Sequence, residues 1–207
     1  MKIGFIGAGN TATTIGRHLL HAGHNIVLSN SRGPQSLSGL IEELGEGAEA
    51  GTKEDVLNCD LVVLATHWSQ ARRALEGLAW RGQILIDGTN AHEKAPPDFT
   101  PEGIARSIAA LGDKTSTEIV AELAPGARIV KAFSNIPMDW IQDFSKEKPR
   151  TTIFVASDDL EAKDVVISLL NDMGFAAVYT GDLAAGKSHQ VGAPLSGLDL
   201  HMVRRMR

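Results

Sequence analysis

Short runs of almost wholly apolar residues, alternating with amphipathic stretches, constrain this sequence more than any other feature. The runs fall at 2–6, 25–29, 61–65, 84–86, 129–133, 152–156 and 176–179. A strand apolar along its whole length is covered on both faces, which is the mark of a parallel sheet between two layers of helices. The intervening stretches read as helices: 11–22, a segment ending at about Leu44, 68–78, "TEIVAELA", and 158–173. "TEIVAELA" opens on the Thr115/Glu118 capping box and stops at Pro125 and Gly126. Thr52 is expected to cap a short helix through Leu57. A last helix is expected from a stripe of Leu195, Leu198, Met202 and Met206. The expected fold is therefore α/β, a doubly wound, mainly parallel sheet. The charged segment 146–150, with Pro149, is the best boundary. It divides residues 1–148 from a small C-terminal α/β part, 149–207.

At the first strand-to-helix junction stands "IGAGNTATTIG". Gly7, Gly9 and Ala12 fit G-x-G-x-x-A. In that pattern glycine allows a tight turn, and a missing side chain lets a pyrophosphate reach the free amides of the helix N-terminus. The charge distribution agrees. No Asp or Glu occurs before Glu42, while Lys2, Arg17 and Arg32 carry +3, leaving −8 for the rest of a chain whose net charge is −5. An acid-free stretch around a glycine loop suits a polyanionic ligand.

Composition excludes several classes. The net negative charge argues against general nucleic-acid binding. No apolar run reaches the roughly 18 to 20 residues that span a bilayer, and the N-terminal apolar stretch is too short for a signal peptide. Cys59 is alone, so neither an intrachain disulfide nor a cysteine metal cage is available. A cytoplasmic protein free of membrane and nucleic acid is expected.

The end of the second strand selects the dinucleotide. A carboxylate about 20 residues past the glycines would bind the ribose hydroxyls of NAD and repel a 2′-phosphate. Asn30, Ser31 and Arg32 stand there instead. A guanidinium beside amide and hydroxyl donors grips phosphate, so NADP(H) is the expected cofactor.

Two other patterns imitate sites. "GDLAAGKS", 181–188, matches a phosphate loop letter for letter, but "HQVGAP" follows it where a helix must open. His18, His21 and His24 imitate metal spacing, yet they surround a helix C-terminus with no carboxylate near. No metal site is expected. His189 and His201 have no evident partner. His67 differs, because it ends a buried strand at the sheet edge where ligands bind. Trp68 borders the same edge, although Trp68, Trp80 and Trp140 all read as packing groups.

"IGFIGAGN", "VLSNSRGP", "STEIVAELAPGARIVKAFSNIP" and "GDLAAG…GAPLSGL" together resemble the F420-dependent NADP oxidoreductases, also called NADPH-dependent F420 reductases, over nearly the whole chain. The resemblance implies a Rossmann-type NADP domain whose small C-terminal part closes a pocket over the nicotinamide. It implies that Gly7, Gly9, Asn10, Thr11, Ser31, Arg32, Thr66, His67 and Trp68 hold NADP. It places Ser134, Asn135, Ile136 and Pro137, and the segment from Lys187 to Pro194, beside the second redox cofactor. Ala12, Asn30 and Asn90 complete the cofactor-binding candidates. Archaeal members have Pro, His and Arg where this chain has His67, Ser134 and Lys187. Coenzyme F420, FMN, FAD or another small acceptor therefore stays open as redox partner.

Three functions follow as alternatives. The first is an oxidoreductase passing hydride between NADPH and a deazaflavin or flavin, a flavin-reductase chemistry needing ring alignment rather than a nucleophile or metal. His67 is its candidate catalytic residue. The second is an NADPH-dependent reductase of a small metabolite, for which relatives of this fold add a helical substrate domain. Only about 58 residues follow Pro149 here. The third is a non-catalytic NADP-sensing module. A homodimer is compatible with each.

Overall fold

The computed structural model describes residues 1–92, 100–142 and 150–202. Five parallel strands come first in chain order around β1 (Lys2–Ile6): β2 (Asn25–Ser29), β3 (Ala48–Ala50), β4 (Leu61–Leu64) and β5 (Ile84–Asp87). β6 (Arg128–Lys131) continues them in parallel. β7 (Arg150–Ala156) then joins β6 antiparallel through Lys131 and Ala156, and β8 (Ala176–Gly181) runs parallel to β7. The sheet order is β3-β2-β1-β4-β5-β6-β7-β8. The Rossmann-type, mainly parallel sheet of the sequence reading is thus present, with its last two full strands reversed.

Successive residues of each strand face opposite layers. Ile3, Phe5, Ile26, Leu28, Leu61, Val63, Ile84 and Ile86 face one core, with Ile15 and Leu19 of α1 (Asn10–His21) and Val166 and Leu169 of α6 (Leu160–Asp172). Ile6, Val27, Val62, Leu64 and Leu85 face the other, with Ala71 and Leu75 of α3 (Trp68–Leu75) and Val120 of α5 (Ser116–Leu123). Each such side chain, fully buried, contributes about 1.5–3 kcal/mol. The α5 capping box is present in both directions. Asp159 caps α6 and is held to about 2, well below the usual carboxylate range, first by its hydrogen bond from Arg128.

Several sequence expectations are corrected. The segment ending at Leu44 is a 3₁₀ turn, Pro34–Leu37, followed by α2 (Ser38–Leu44). Thr52 does not cap an α-helix. Its hydroxyl and the Asp55 carboxylate bond one another's backbone N–H groups at a 3₁₀ turn, Asp55–Asn58. α4 (Pro101–Ala109), capped by Thr100, went unread. The expected C-terminal helix is absent among the described residues. Gly192 and Gly197 adopt positive φ, and His201–Met202 instead forms β9, antiparallel to Arg150 and Thr151 of β7. Met206 lies outside the described residues, as do Pro96, Pro97 and the boundary segment's Lys146 and Pro149. Trp80 is buried, but Trp140 is half exposed. No helix among the described residues is long and apolar enough to cross a membrane.

Candidate functional site

The strand order reverses at β1, whose neighbours β2 and β4 lie on either side. Ligands of open α/β sheets bind outside the carboxyl ends of the strands at such a switch point. Gly7 follows β1 there with φ +114°, and a Cβ on it would lie 2.3 Å from the Ala65 carbonyl oxygen. Only glycine fits. At Gly9 a Cβ would meet nothing within 4 Å, so the cradle in front of α1 is open. Gly9 is the N-cap of α1, no side chain caps it, and no acid stands in the first turn. The amides and the positive end of the helix dipole thus face the opening uncompensated, which suits a pyrophosphate. Ala12 is buried beneath, as a core residue rather than a lining one.

On the β2 side a cavity of about 610 Å³ runs past Asn30, Ser31, Arg32, Thr66 and His67. Asn30 shapes its loop: Oδ1 accepts the Arg32 N–H at 2.9 Å, and Nδ2 donates to Ser36 Oγ at 2.9 Å. Such an Asx turn fixes the backbone that carries Arg32. The structure adds residues the sequence reading missed, namely Lys53, Gln70 and Arg73. Gln70, Arg73 and Ala74 share one face of α3, an i, i+3, i+4 stripe beside the buried Ala71 and Leu75, and this spacing was the available signal. Lys53 Nζ donates to the Glu76 carbonyl at 2.6 Å, tying its loop to the end of α3. Among the described residues three cations and no acid line this end of the crevice.

Beyond Gly9, Thr66 and His67 the crevice continues into a cavity of about 300 Å³ at the ends of β4, β5 and β6. Asn10, Thr11, Trp68, Asn90 and Ile136 line it, together with the previously unread Thr89, His92, Phe133 and Met138. Among the described residues no Lys, Arg, Asp or Glu lines it. Phe133 has φ 64°, the single non-glycine positive φ among the described residues. For a bulky side chain this is a strained conformation, of a kind that clusters at functional sites. His67 Nδ1 lies 3.0 Å from Ser69 Oγ, while its Nε2 and the Thr66 Oγ1 are buried without a partner. The His92 ring meets His67 edge-on at 5.0 Å. Burial, then the neighbouring His92, holds His67 below its ordinary 6.5.

Four expected residues stand elsewhere. Asn135 is buried, its side chain bonding the backbone of Thr152 and Phe154 on β7. Ser134 Oγ faces His189 rather than the cavity. Pro137 and Lys187 are exposed and line neither cavity. His189, without a partner in the sequence reading, is fully buried between Ser134 and Thr180 at 3.3 Å each. His201 pairs with Asp199. The phosphate-loop imitation is a 3₁₀ turn, Ala184–Ser188, with no α-helix after it among the described residues. His18 is buried against the Ile141 carbonyl and Phe175, and His24 Nδ1 meets the N-terminal amine. No group of three metal-ligating residues occurs among the described residues.

Such a crevice defines a dinucleotide-binding oxidoreductase fold. The family model described as NADP oxidoreductase, coenzyme F420-dependent, matches residues 2–91. Hypothetical protein SMa0349 from Sinorhizobium meliloti superposes with a TM-score of 0.86 at 32% identity, over 97% of this chain and 95% of that one. A protein from Arthrobacter sp. FB24, proposed to be an F420-dependent NADP-reductase, superposes at 0.73 and 24% identity, covering 90% and 87%. Rat metalloreductase STEAP3 is 28% identical over 189 residues, 90% of this chain but 35% of its own length. The chain thus spans about a third of the curated relatives it matches. Over residues 2–91 the chain thus matches the F420-dependent NADP oxidoreductase family. The open glycine cradle, the uncapped α1 and the acid-free cationic end fit NADP(H).

Proposed function

We propose that this protein transfers hydride between NADPH and a flavin-type ring, a deazaflavin or a flavin, at the carboxyl end of its sheet. The reading rests on one observation above all. Among the described residues the far end of the crevice has no Lys, Arg, Asp or Glu in its lining, yet it buries two unpartnered polar atoms, His67 Nε2 and Thr66 Oγ1. When bound, NADPH supplies the hydride. The protein's task is to grip the phosphates with α1, hold the 2′-phosphate with Ser31 and Arg32, and keep the reacting end aligned and dry. A ring that accepts hydride gains negative charge, and the acceptor also takes up a proton. In the protonated ring Nδ1–H donates to Ser69 Oγ, and the Nε2 proton, which has no other partner, can pass to the acceptor and leave the imidazole neutral.

Steady-state oxidation of NADPH in the presence of F420, FMN, FAD and riboflavin tests the reading. At least one of them is expected to support turnover. His67→Ala is expected to lower kcat by about tenfold or more with little change in NADPH affinity, as proton delivery by a positioned histidine is typically worth about 100-fold or more. Because His67 titrates below 6.5, wild-type activity should decline as pH rises through that lower value, and the variant should lack this limb. Absence of turnover with all four acceptors, while NADPH still binds, would leave a sensing module as the better reading.

A further inference from the structure

A buried ion pair lies immediately behind the reacting end of the crevice, and nothing in hydride transfer calls for it. Lys131, the last residue of β6, and Asp87, the last of β5, are both fully buried, with Nζ 3.3 Å from Oδ2. Asp87 Oδ1 accepts the Thr89 N–H at 2.9 Å and the Thr89 hydroxyl at 2.6 Å, and Oδ2 accepts the Thr117 hydroxyl at 2.5 Å. Lys131 Nζ donates to the Thr89 carbonyl at 3.1 Å and to Ser116 Oγ at 3.3 Å. Every polar group of Thr89 is thus held by these two side chains. The next residue continues the clamp. Asn90 Nδ2 donates to the Ser134 carbonyl and its Oδ1 accepts the Val191 N–H, both at 2.8 Å. Thr89 and Asn90 both line the reacting-end cavity.

The "GDLAAG" segment is built around the lysine. At Gly186 a Cβ would stand 3.0 Å from Lys131 Cδ. The glycine that imitates a phosphate loop therefore serves to let the chain pass over the lysine stem.

Stability does not account for the pair. Taking two charges out of water costs several kcal/mol each, and buried pairs can often be replaced by neutral groups of similar shape without loss. Hydride transfer, by contrast, loses about 100-fold for a misplacement of about 1 Å. We propose that Lys131 and Asp87 are positioning residues that lock Thr89 and Asn90 against the reacting end of the crevice and so fix the orientation of the nicotinamide ring. This rests on the reading of the crevice as the site of hydride transfer from NADPH.

The double variant Asp87→Asn/Lys131→Met removes both charges, keeps side-chain volumes close and leaves an acceptor for Thr89. Its NADPH affinity should stay within about threefold of wild type, because the cationic end is untouched, while kcat should fall about tenfold or more. The fluorescence that NADPH gains when its ring is immobilised should fall by about half or more on the same grounds. A folded double variant with wild-type fluorescence gain and kcat overturns the proposal. Should it not fold, Gly186→Ala, which presses on Lys131 with both charges kept, must lower the same signals by about twofold or more; wild-type values there overturn it equally. The fluorescence gain separates this inference from the functional reading. If wild type binds NADPH with that gain but reduces no acceptor, the function fails, and loss of the gain in the variants still supports the clamp.

Discussion

Arg32→Ala is expected to weaken NADPH binding by about tenfold to more than a hundredfold while leaving NADH nearly unaffected. A hydrogen bond to a charged group is worth about 1.5–3 kcal/mol, which converts to that range in affinity. The guanidinium stands where an NAD-binding chain would place a carboxylate, on a loop braced by Asn30, and makes no ion pair with a described residue. Arg32 is exposed, so its contribution should shrink as salt rises. Lys53 and Arg73 share the cavity, and alanine at either should also weaken NADPH more than NADH. Fluorescence titration with both cofactors, at two salt concentrations, reads all three. Equal losses for NADPH and NADH at Arg32 would remove the 2′-phosphate assignment.

The sequence carries the strands and the glycine loop openly, because burial on both faces leaves short apolar runs whose length and flanking turns mark them as strands. The direction of a strand leaves no such trace. Residues 152–156 and 176–179 read as buried strands equally well in either sense, and only the structure reverses β7 and β8. The tail misled for a different reason. Leu195, Leu198 and Met202 keep helical spacing, but Gly197 at positive φ interrupts it, and pairing with the start of β7 outweighs the pattern. In the crevice, residues contiguous with a motif were legible, such as Gly7, Arg32 and His67. Lys53, Arg73 and His92 come from separate elements and meet only when the sheet assembles. The ion pair was hidden more deeply. Lys131 sits inside an apolar strand and Asp87 at the start of a presumed loop, so neither announces the other.

His189 gives the last expected result, a loss of stability on acidification that a single substitution removes. Burial first, then the positive charge of Lys131, holds its imidazole down to about 4, with Asp87 opposing. The ordinary value, which applies to the unfolded chain, is about 6.5. Between these two values the unfolded chain binds a proton that the folded protein refuses. Stability therefore rises with pH through this window and is lost as pH falls from 6.5 towards 4. The difference of about 2.5 units corresponds to about 3 kcal/mol, of which about 2 kcal/mol should be lost between pH 7 and 4.5. His18, His24 and His67, also lowered by burial, act in the same direction, so the wild-type slope contains all four. His189→Gln isolates one of them, since the amide can still reach Ser134 and Thr180 but does not titrate in this range. Urea unfolding at pH 7, 5.5 and 4.5 should show the variant less stable than wild type at pH 7 or equal to it, and losing about 2 kcal/mol less on acidification. Parallel losses in the two proteins would mean that His189 is protonated in the fold. The charge of Lys131 would then not act on the ring from its place beside it, and the placement of the clamp behind the crevice would fall with it.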